Sequence, residues 1–252
     1  MKVVEVANLS VKFGDYFAVN KISFSVGQGE IFGFLGANGA GKTTTIRVLC
    51  GLLLPSHGQA QVCGFDVLKD AAKVKNCVGY MSQKFTLYDD LTVKENLEFT
   101  GALRKLDPEK LQKQKEKLLN FIKFKGDENS LVKNLPGGIK QQVSLIASVL
   151  HNPSIVFLDE PTAGVSPAYR QRFWSLIREL AKEGKTVFVT THYMDEAEQC
   201  ERIALMRSGE LIALDSPKNL KQQSFPDRDP RKVTLEEVFI HQVEGRLKFI
   251  RF

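Results

Sequence analysis

Eight consecutive residues, Gly36-Ala37-Asn38-Gly39-Ala40-Gly41-Lys42-Thr43, have the spacing of a phosphate-binding loop. Glycines let such a loop wrap with its N–H groups turned inward to cradle phosphate oxygens, and the following helix adds the positive end of its dipole. Lys42 has the reach for β- and γ-phosphates, and Thr43 offers a hydroxyl to Mg²⁺. The competing reading is a glycine-rich turn that fits the spacing by chance. A second candidate is Ile155-Val156-Phe157-Leu158-Asp159-Glu160, four apolar residues ending in two carboxylates. Asp159 is expected to hold the Mg²⁺ shell. Glu160 is expected near the γ-phosphate, where it would polarise an attacking water as a general base. The bland alternative is an acidic turn at a strand end. Finding both motifs in one chain argues against both chance readings.

Both motifs need strands to present them. Ile31-Phe32-Gly33-Phe34-Leu35 is a short apolar run directly before the loop, the pattern of a buried parallel strand. Thr44 to Leu53 has helical content, which completes strand, loop and helix. Upstream, Val3, Val4 and Val6 begin a strand, and Ile22, Phe24 and Val26 alternate with polar residues before the turn Gln28-Gly29-Glu30. Ile155 to Leu158 and Thr186 to Thr190 read as further buried strands. Between them, Arg170 to Lys182 places Phe173, Trp174, Ile177 and Leu180 on one helical face. Strand–helix–strand alternation predicts a parallel sheet with helical crossovers.

The remaining segments differ in character. Asp107-Pro108 signals a helix start, and Leu111, Leu118, Phe121 and Ile122 recur on one side. Seven lysines and three acids lie between Lys105 and Lys125. A solvated helical face and a nucleic-acid patch are both open there, and the scarcity of interleaved aromatics weakens the second. After Pro217 the chain turns polar, with Pro226 and Pro230 in an expected loop. Thr234 to Gln242 reads as a short amphipathic segment, with Thr234 and Glu237 in a capping-box pattern.

Composition bounds the class. The chain has 252 residues, with 35 Lys plus Arg against 29 Asp plus Glu, a net charge of +6. That length suits one large or two modest domains, and 43% hydrophobic residues supply a core. No apolar run approaches the ~18–20 residues of a membrane span. The N-terminus carries Glu5 where an export signal needs an apolar stretch, so none is expected. Cys50, Cys63, Cys77 and Cys200 lack metal spacing and read as free thiols in a reducing compartment.

These pieces, in this order, resemble the nucleotide-binding cassette of ABC transporters over residues 1–216. Between the two motifs stand Gln83, in Tyr80-Met81-Ser82-Gln83, and Leu135-Pro136-Gly137-Gly138-Ile139-Lys140-Gln141-Gln142 in the place of the family signature; Thr190-Thr191-His192 follows. The resemblance implies an α/β fold. It comprises a RecA-like P-loop NTPase core with a mainly parallel sheet, an N-terminal antiparallel β subdomain and an inserted helical subdomain. The expected divisions are 1–83 with 151–216 as the core, 84–150 as the helical subdomain and 217–252 as a C-terminal extension. The implied ligands are ATP and Mg²⁺. Phe13 would stack on adenine, with a core phenylalanine as the alternative. Gly36, Asn38, Gly39, Ala40, Gly41, Lys42, Thr43 and Thr44 would bind ATP; Thr43, Asp159 and Gln83 would serve the metal. Glu160, His192, Lys42 and Gln83 would act in hydrolysis, His192 on the γ-phosphate. Gly137 and Gly138 would contact ATP held by a second cassette in a head-to-tail dimer, either a homodimer or a heterodimer.

Leu91 to Leu97, Thr162 to Pro167 and Thr234 to Phe239 are similar to the exporter branch that handles drugs, lipids and polysaccharides. The implied function is ATP hydrolysis that powers a membrane exporter through a separate transmembrane permease, from the cytoplasmic face of the cell membrane. No nucleic-acid partner is expected. Phe85, Leu87 and Tyr88 either line a groove for a permease helix or pack in the core. The sequence departs from the family at Pro136, Ile139, Gln142 and Ser166, where serine, glutamine, arginine and aspartate are usual. Proline has no N–H, so the dimer is expected to be weak or to need a more typical partner cassette. The alternatives are a soluble cassette ATPase acting on a ribosome or nucleic acid, and a regulatory cassette with weak hydrolysis. Residues 246–252 alternate basic and apolar, which fits a frayed terminus, membrane-surface contact or continuation into a longer chain.

Overall fold

The computed structural model describes residues 1–84 and 86–249, the last five by backbone alone. Its strands are β1 (Lys2–Phe13), β2 (Tyr16–Gly27), β3 (Ile31–Leu35), β4 (His57–Val62), β5 (Phe65–Asp66), β6 (Val78–Met81), β7 (Ile155–Asp159), β8 (Thr186–Thr191), β9 (Arg202–Arg207) and β10 (Glu210–Asp215). The helices are α1 (Lys42–Leu49), α2 (Ala71–Cys77), α3 (Val93–Leu103), α4 (Pro108–Phe121), α5 (Gly137–Val149), α6 (Pro167–Lys182), α7 (Met194–Ala197), α8 (Pro217–Ser224) and α9 (Leu235–Phe249).

Two sheets form, in the orders β2-β1-β4-β5 and β10-β9-β3-β8-β7-β6. The first is antiparallel. The second is parallel except where β10 pairs with β9. β3, β7 and β8 are buried along their whole length, as strands covered on both faces must be. Phe24 of the first sheet meets Phe32, Phe34 and Phe188 of the second, and Phe157 packs on Phe188 in turn; the closest pair, Phe34 and Phe188, has centroids 4.8 Å apart. On the other face, Trp174 and Ile177 of α6 share a core with Leu145 and Ile146 of α5 and Leu97 of α3. The inserted helices therefore have no core separate from that of the sheet. β3, β8 and β7 lie side by side in register, with Leu35 opposite Thr191 and Thr190 opposite Asp159. Their carboxyl ends thus bring the phosphate loop, the two carboxylates and His192 to one edge, where open α/β sheets bind ligands.

Several boundaries differ from the sequence reading. α1 ends at Leu49 rather than Leu53, because the chain turns at Gly51 with φ +65°. The loop expected after Pro217 begins with α8. Ser216 caps it by accepting from the Asn219 N–H at 3.2 Å, Pro217 fills the first turn, and Leu220 is buried. The capping box at Thr234 forms: its hydroxyl accepts from Glu237 N–H at 3.1 Å and its own N–H donates to Glu237 at 2.8 Å. That helix continues past Gln242 to Phe249. Phe85 and the side chains of 246–252 lie outside the described residues. Lys115, read as part of a solvated or nucleic-acid face, is buried, with Glu128 at 3.2 Å and Glu98 at 3.9 Å.

Candidate functional site

The phosphate loop joins β3 to α1 and is crowded at both ends. A Cβ on Gly36 would stand 2.3 Å from the Met206 carbonyl oxygen, and one on Gly41 would stand 2.4 Å from that of Ala18. Gly41 also has φ +105°, outside the reach of other residues. Lys42 is 4% exposed, so its charge needs partners. Its Nζ donates to the carbonyls of Gly36 at 2.7 Å and Ala37 at 3.1 Å and lies 3.3 Å from Glu160 Oε1. A phosphate group offers the same kind of acceptor with more charge.

The two carboxylates have different surroundings. Asp159 is fully buried, and its Oδ1 accepts from Thr190 Oγ1 at 2.6 Å and Thr43 Oγ1 at 3.1 Å. Burial pushes its pKa above the ordinary value; the two threonine bonds and Lys42 oppose that, while the neighbouring Glu160 charge adds to it. Glu160 has φ +47°, a strained value for a side chain of this size. Thr190 holds that turn with two acceptors, its carbonyl at 3.1 Å and its hydroxyl at 3.0 Å from the Glu160 N–H. Three groups then converge on the Glu160 carboxylate: Lys42, the Gln83 amide at 3.1 Å from Oε2 and His192 Nδ1 at 3.3 Å from the same oxygen.

An open cleft of about 530 Å³ lies above these groups. Its lining brings Lys42, Thr43 and Thr44 of the loop and helix together with Gln83, Glu160 and the aromatic pair Phe13 and Tyr16. Phe13 is 53% exposed, so the core alternative fails. It pairs with Tyr16 across the tight β1–β2 turn. A larger groove, about 650 Å³, crosses the first sheet between Glu5, Gln61 and Arg202, away from the phosphate loop.

Gly137 and Gly138 do not line the cleft of their own chain. They open α5, which leaves their N–H groups outside the helix ladder. Pro136 occupies the cap position without a side-chain bond; its carbonyl accepts from the N–H groups of Ile139 and Lys140. Ser166 caps α6, also without a side-chain bond. Gln142 is buried and its amide nitrogen has no hydrogen-bond partner.

The donor set fits a hard divalent cation. Asp159 Oδ2 is buried without a hydrogen-bond partner, beside the Thr43 hydroxyl that already touches Oδ1. Among the described residues no group of three His, Cys, Asp or Glu forms a metal cage. A sparse oxygen set is what Mg²⁺ takes when phosphates and water complete its shell. Sequence reasoning missed Thr190 and Tyr16. The signal for Thr190 was a hydroxyl at the end of a buried strand, in register with Asp159.

The family described as "ABC transporter" matches residues 19–163. The chain is 44% identical over 241 residues to the "Probable multidrug ABC transporter ATP-binding protein YbhF" of Escherichia coli (strain K12), covering 96% of this chain and 42% of that protein. It therefore spans less than half of that relative. It is 37% identical over 215 residues to the "Nod factor export ATP-binding protein I" of Burkholderia lata, covering 85% of this chain and 71% of the relative. Among solved structures, an ATP-binding subunit of an ABC transporter has a TM-score of 0.84 at 24% identity, covering 96% of this chain and 99% of that one. The cassette MJ0796, solved as a dimer bound to ADP and Pi, has a TM-score of 0.76 at 25% identity, covering 84% and 98%.

Proposed function

Because the chain belongs to the ABC transporter family, we propose that it is the ATP-binding and ATP-hydrolysing subunit of a membrane exporter, acting through a separate permease. The convergence of Lys42, Gln83 and His192 on Glu160, beside the Thr43–Asp159 pair, carries this reading. ATP would lie with its base against Phe13 and its phosphates over the loop from Gly36 to Thr44. Lys42 would exchange its contact with Glu160 for the β- and γ-phosphates. Glu160, freed from that ion pair, would accept a proton from the attacking water. His192 would donate to the γ-phosphate, and Gln83 would report its presence towards the permease. Thr43 and Asp159, with Gln83, would hold Mg²⁺, whose chemistry is to neutralise charge on the transferring phosphate.

The exporter branch is supported by the names of the relatives, one a multidrug and one a Nod factor export protein. A head-to-tail dimer, in which Gly137 and Gly138 reach the partner's ATP, is supported by the dimer of MJ0796. The core (1–83 with 151–216), helical (84–150) and C-terminal (217–252) divisions belong to the same proposal. Among the described residues no helix is long and apolar enough to cross a membrane, which fits a peripheral subunit on the cytoplasmic face. Tyr88 and Phe99 meet edge to face at 5.2 Å and are both exposed, which suits a permease contact; Leu87 packs towards the core. The test is Mg-ATP turnover by the purified chain against Glu160→Gln. Turnover that survives in the variant would sink the assignment of Glu160. ATP that fails to bind the wild type would sink the whole reading.

A further inference from the structure

Glu196 of α7 is fully buried, and nothing in the hydrolysis scheme uses it. Three elements meet on its carboxylate. Oε1 accepts from Thr162 Oγ1, at the start of the segment that leads from Glu160 to α6. Oε2 accepts from Thr191 Oγ1 at 2.6 Å, at the end of β8. Arg170 Nε, in the first turn of α6, lies 3.3 Å from Oε1. A charge at zero exposure is tolerated only with such partners, and the resulting network has one geometry.

The network reaches both His192 and the segment that precedes α6. Tyr193 N–H donates to Thr191 Oγ1 at 3.0 Å, and the Tyr193 ring stands 4.1 Å from the His192 ring. The Arg170 guanidinium lies over the Tyr193 ring at 4.0 Å. Arg170 N–H donates to the Ser166 carbonyl at 3.0 Å. Both ends of the stretch from Thr162 to Ser166 are therefore tied to Glu196, one directly and one through Arg170.

We propose that Glu196 is a positioning residue that clamps the Thr162–Ser166 segment to the end of β8, so that this segment and His192 move as one body. Its geometry stands alone, while its kinetic consequence rests on the ATPase reading above. The departure at Ser166 gives the clamp a purpose: a segment without the usual carboxylate depends more on where its backbone is held.

The test uses the full chain carrying Glu196→Gln, Thr162→Val, Thr191→Val or both valines. Amide hydrogen exchange is followed in peptides spanning 162–166 and 192–195 without nucleotide, and kcat and KM for Mg-ATP are measured on the same samples. Glu196→Gln is expected to raise exchange in both segments together by about tenfold or more. It should lower kcat by about tenfold or more while KM moves less than about threefold. The two valine effects should be strongly non-additive, because both hydroxyls act through one carboxylate. Faster exchange confined to one segment, or an unchanged kcat with additive valine effects, overturns the clamp. If Glu196→Gln fails to fold, the valine variants, which keep the side-chain volume, carry the exchange test. A wild-type chain that binds no ATP sinks the ATPase reading and leaves the exchange result to decide the clamp.

Discussion

Replacing Thr190 by valine removes one hydroxyl and keeps the shape of a fully buried side chain. That hydroxyl donates to Asp159 Oδ1 at 2.6 Å and accepts from the Glu160 N–H at 3.0 Å. The second loss is softened, since Glu160 N–H also has the Thr190 carbonyl at 3.1 Å. The first is not. Asp159 Oδ2 has no hydrogen-bond partner, so only the 3.1 Å bond from Thr43 would remain to the carboxylate. A hydrogen bond to a charged group contributes ~1.5–3 kcal/mol. At roughly 2–4 °C per kcal/mol for a domain of this size, the melting temperature without nucleotide should fall by roughly 3–12 °C at neutral pH. Losing a bond that holds the Asp159 pKa down should also weaken Mg²⁺ binding, read as a higher half-saturating Mg²⁺ in nucleotide titrations. Thr190→Ser keeps the hydroxyl and should recover most of both effects. A valine variant within about 0.5 kcal/mol of wild type, or a serine variant that loses as much, would refute the placement of Thr190 as the prop beneath both carboxylates.

Other perturbations separate the parts of the site. Asp159 has its folded pKa raised above 3.8, mainly by burial. Folding then takes up a proton, so this group's contribution is lost as pH rises from 3.8 through the folded value. The stability difference between wild type and Asp159→Asn without ligand should therefore move against wild type across that window, and Mg-ATP should reverse it. Chemical denaturation at several pH values checks the sign. Phe13→Ala should weaken ATP binding by roughly 5- to 150-fold, the ~1–3 kcal/mol of a stacked base, and leave inorganic triphosphate binding unchanged; equal losses for both ligands in calorimetry would remove Phe13 from base recognition. Pro136→Ser restores a side-chain cap to α5, worth ~0.5–2 kcal/mol. It should also tighten the ATP-dependent dimer of the Glu160→Gln protein, and sedimentation that finds no change would end the weak-dimer idea.

What was legible followed from strong local patterns. The apolar runs at 31–35, 155–158 and 186–190 became central strands because a sheet covered on both faces demands such runs. The phosphate loop was legible because Gly36 and Gly41 answer to fixed clashes, with Met206 and Ala18, and Gly39 to a positive φ. The arrangement around Glu160 was not legible. Its positive φ, and the meeting of Lys42, Gln83 and His192 on one carboxylate, depend on strand order and register, which local spacing does not carry. α8 was missed because its sequence is polar, and of its buried residues, Pro217, Leu220 and Ser224, Leu220 alone gives an apolar signal. Lys115 was misread because its two glutamate partners come from α3 and from the loop before α5.

The two signature glycines are not equivalent tests of a second cassette. A Cβ on Gly138 would fall 2.2 Å from the Tyr169 ring, so Gly138→Ala must displace Tyr169 of α6 whether or not a partner exists. Lost activity in that variant says nothing about the dimer. Gly137 has open space around an added Cβ and an ordinary backbone angle. Alanine there should leave the isolated chain as stable as wild type or up to about 1 kcal/mol more so, since it favours the helix. The same methyl would stand where the resemblance puts the partner's γ-phosphate. Gly137→Ala is therefore expected to keep ATP affinity and melting temperature in the single chain and to lose turnover by about tenfold or more. Full turnover in a well-folded Gly137→Ala protein would mean that hydrolysis is completed within one chain, with Lys42, Glu160 and His192 sufficient. The altered residues at 136 and 166 would then have no bearing on the chemistry.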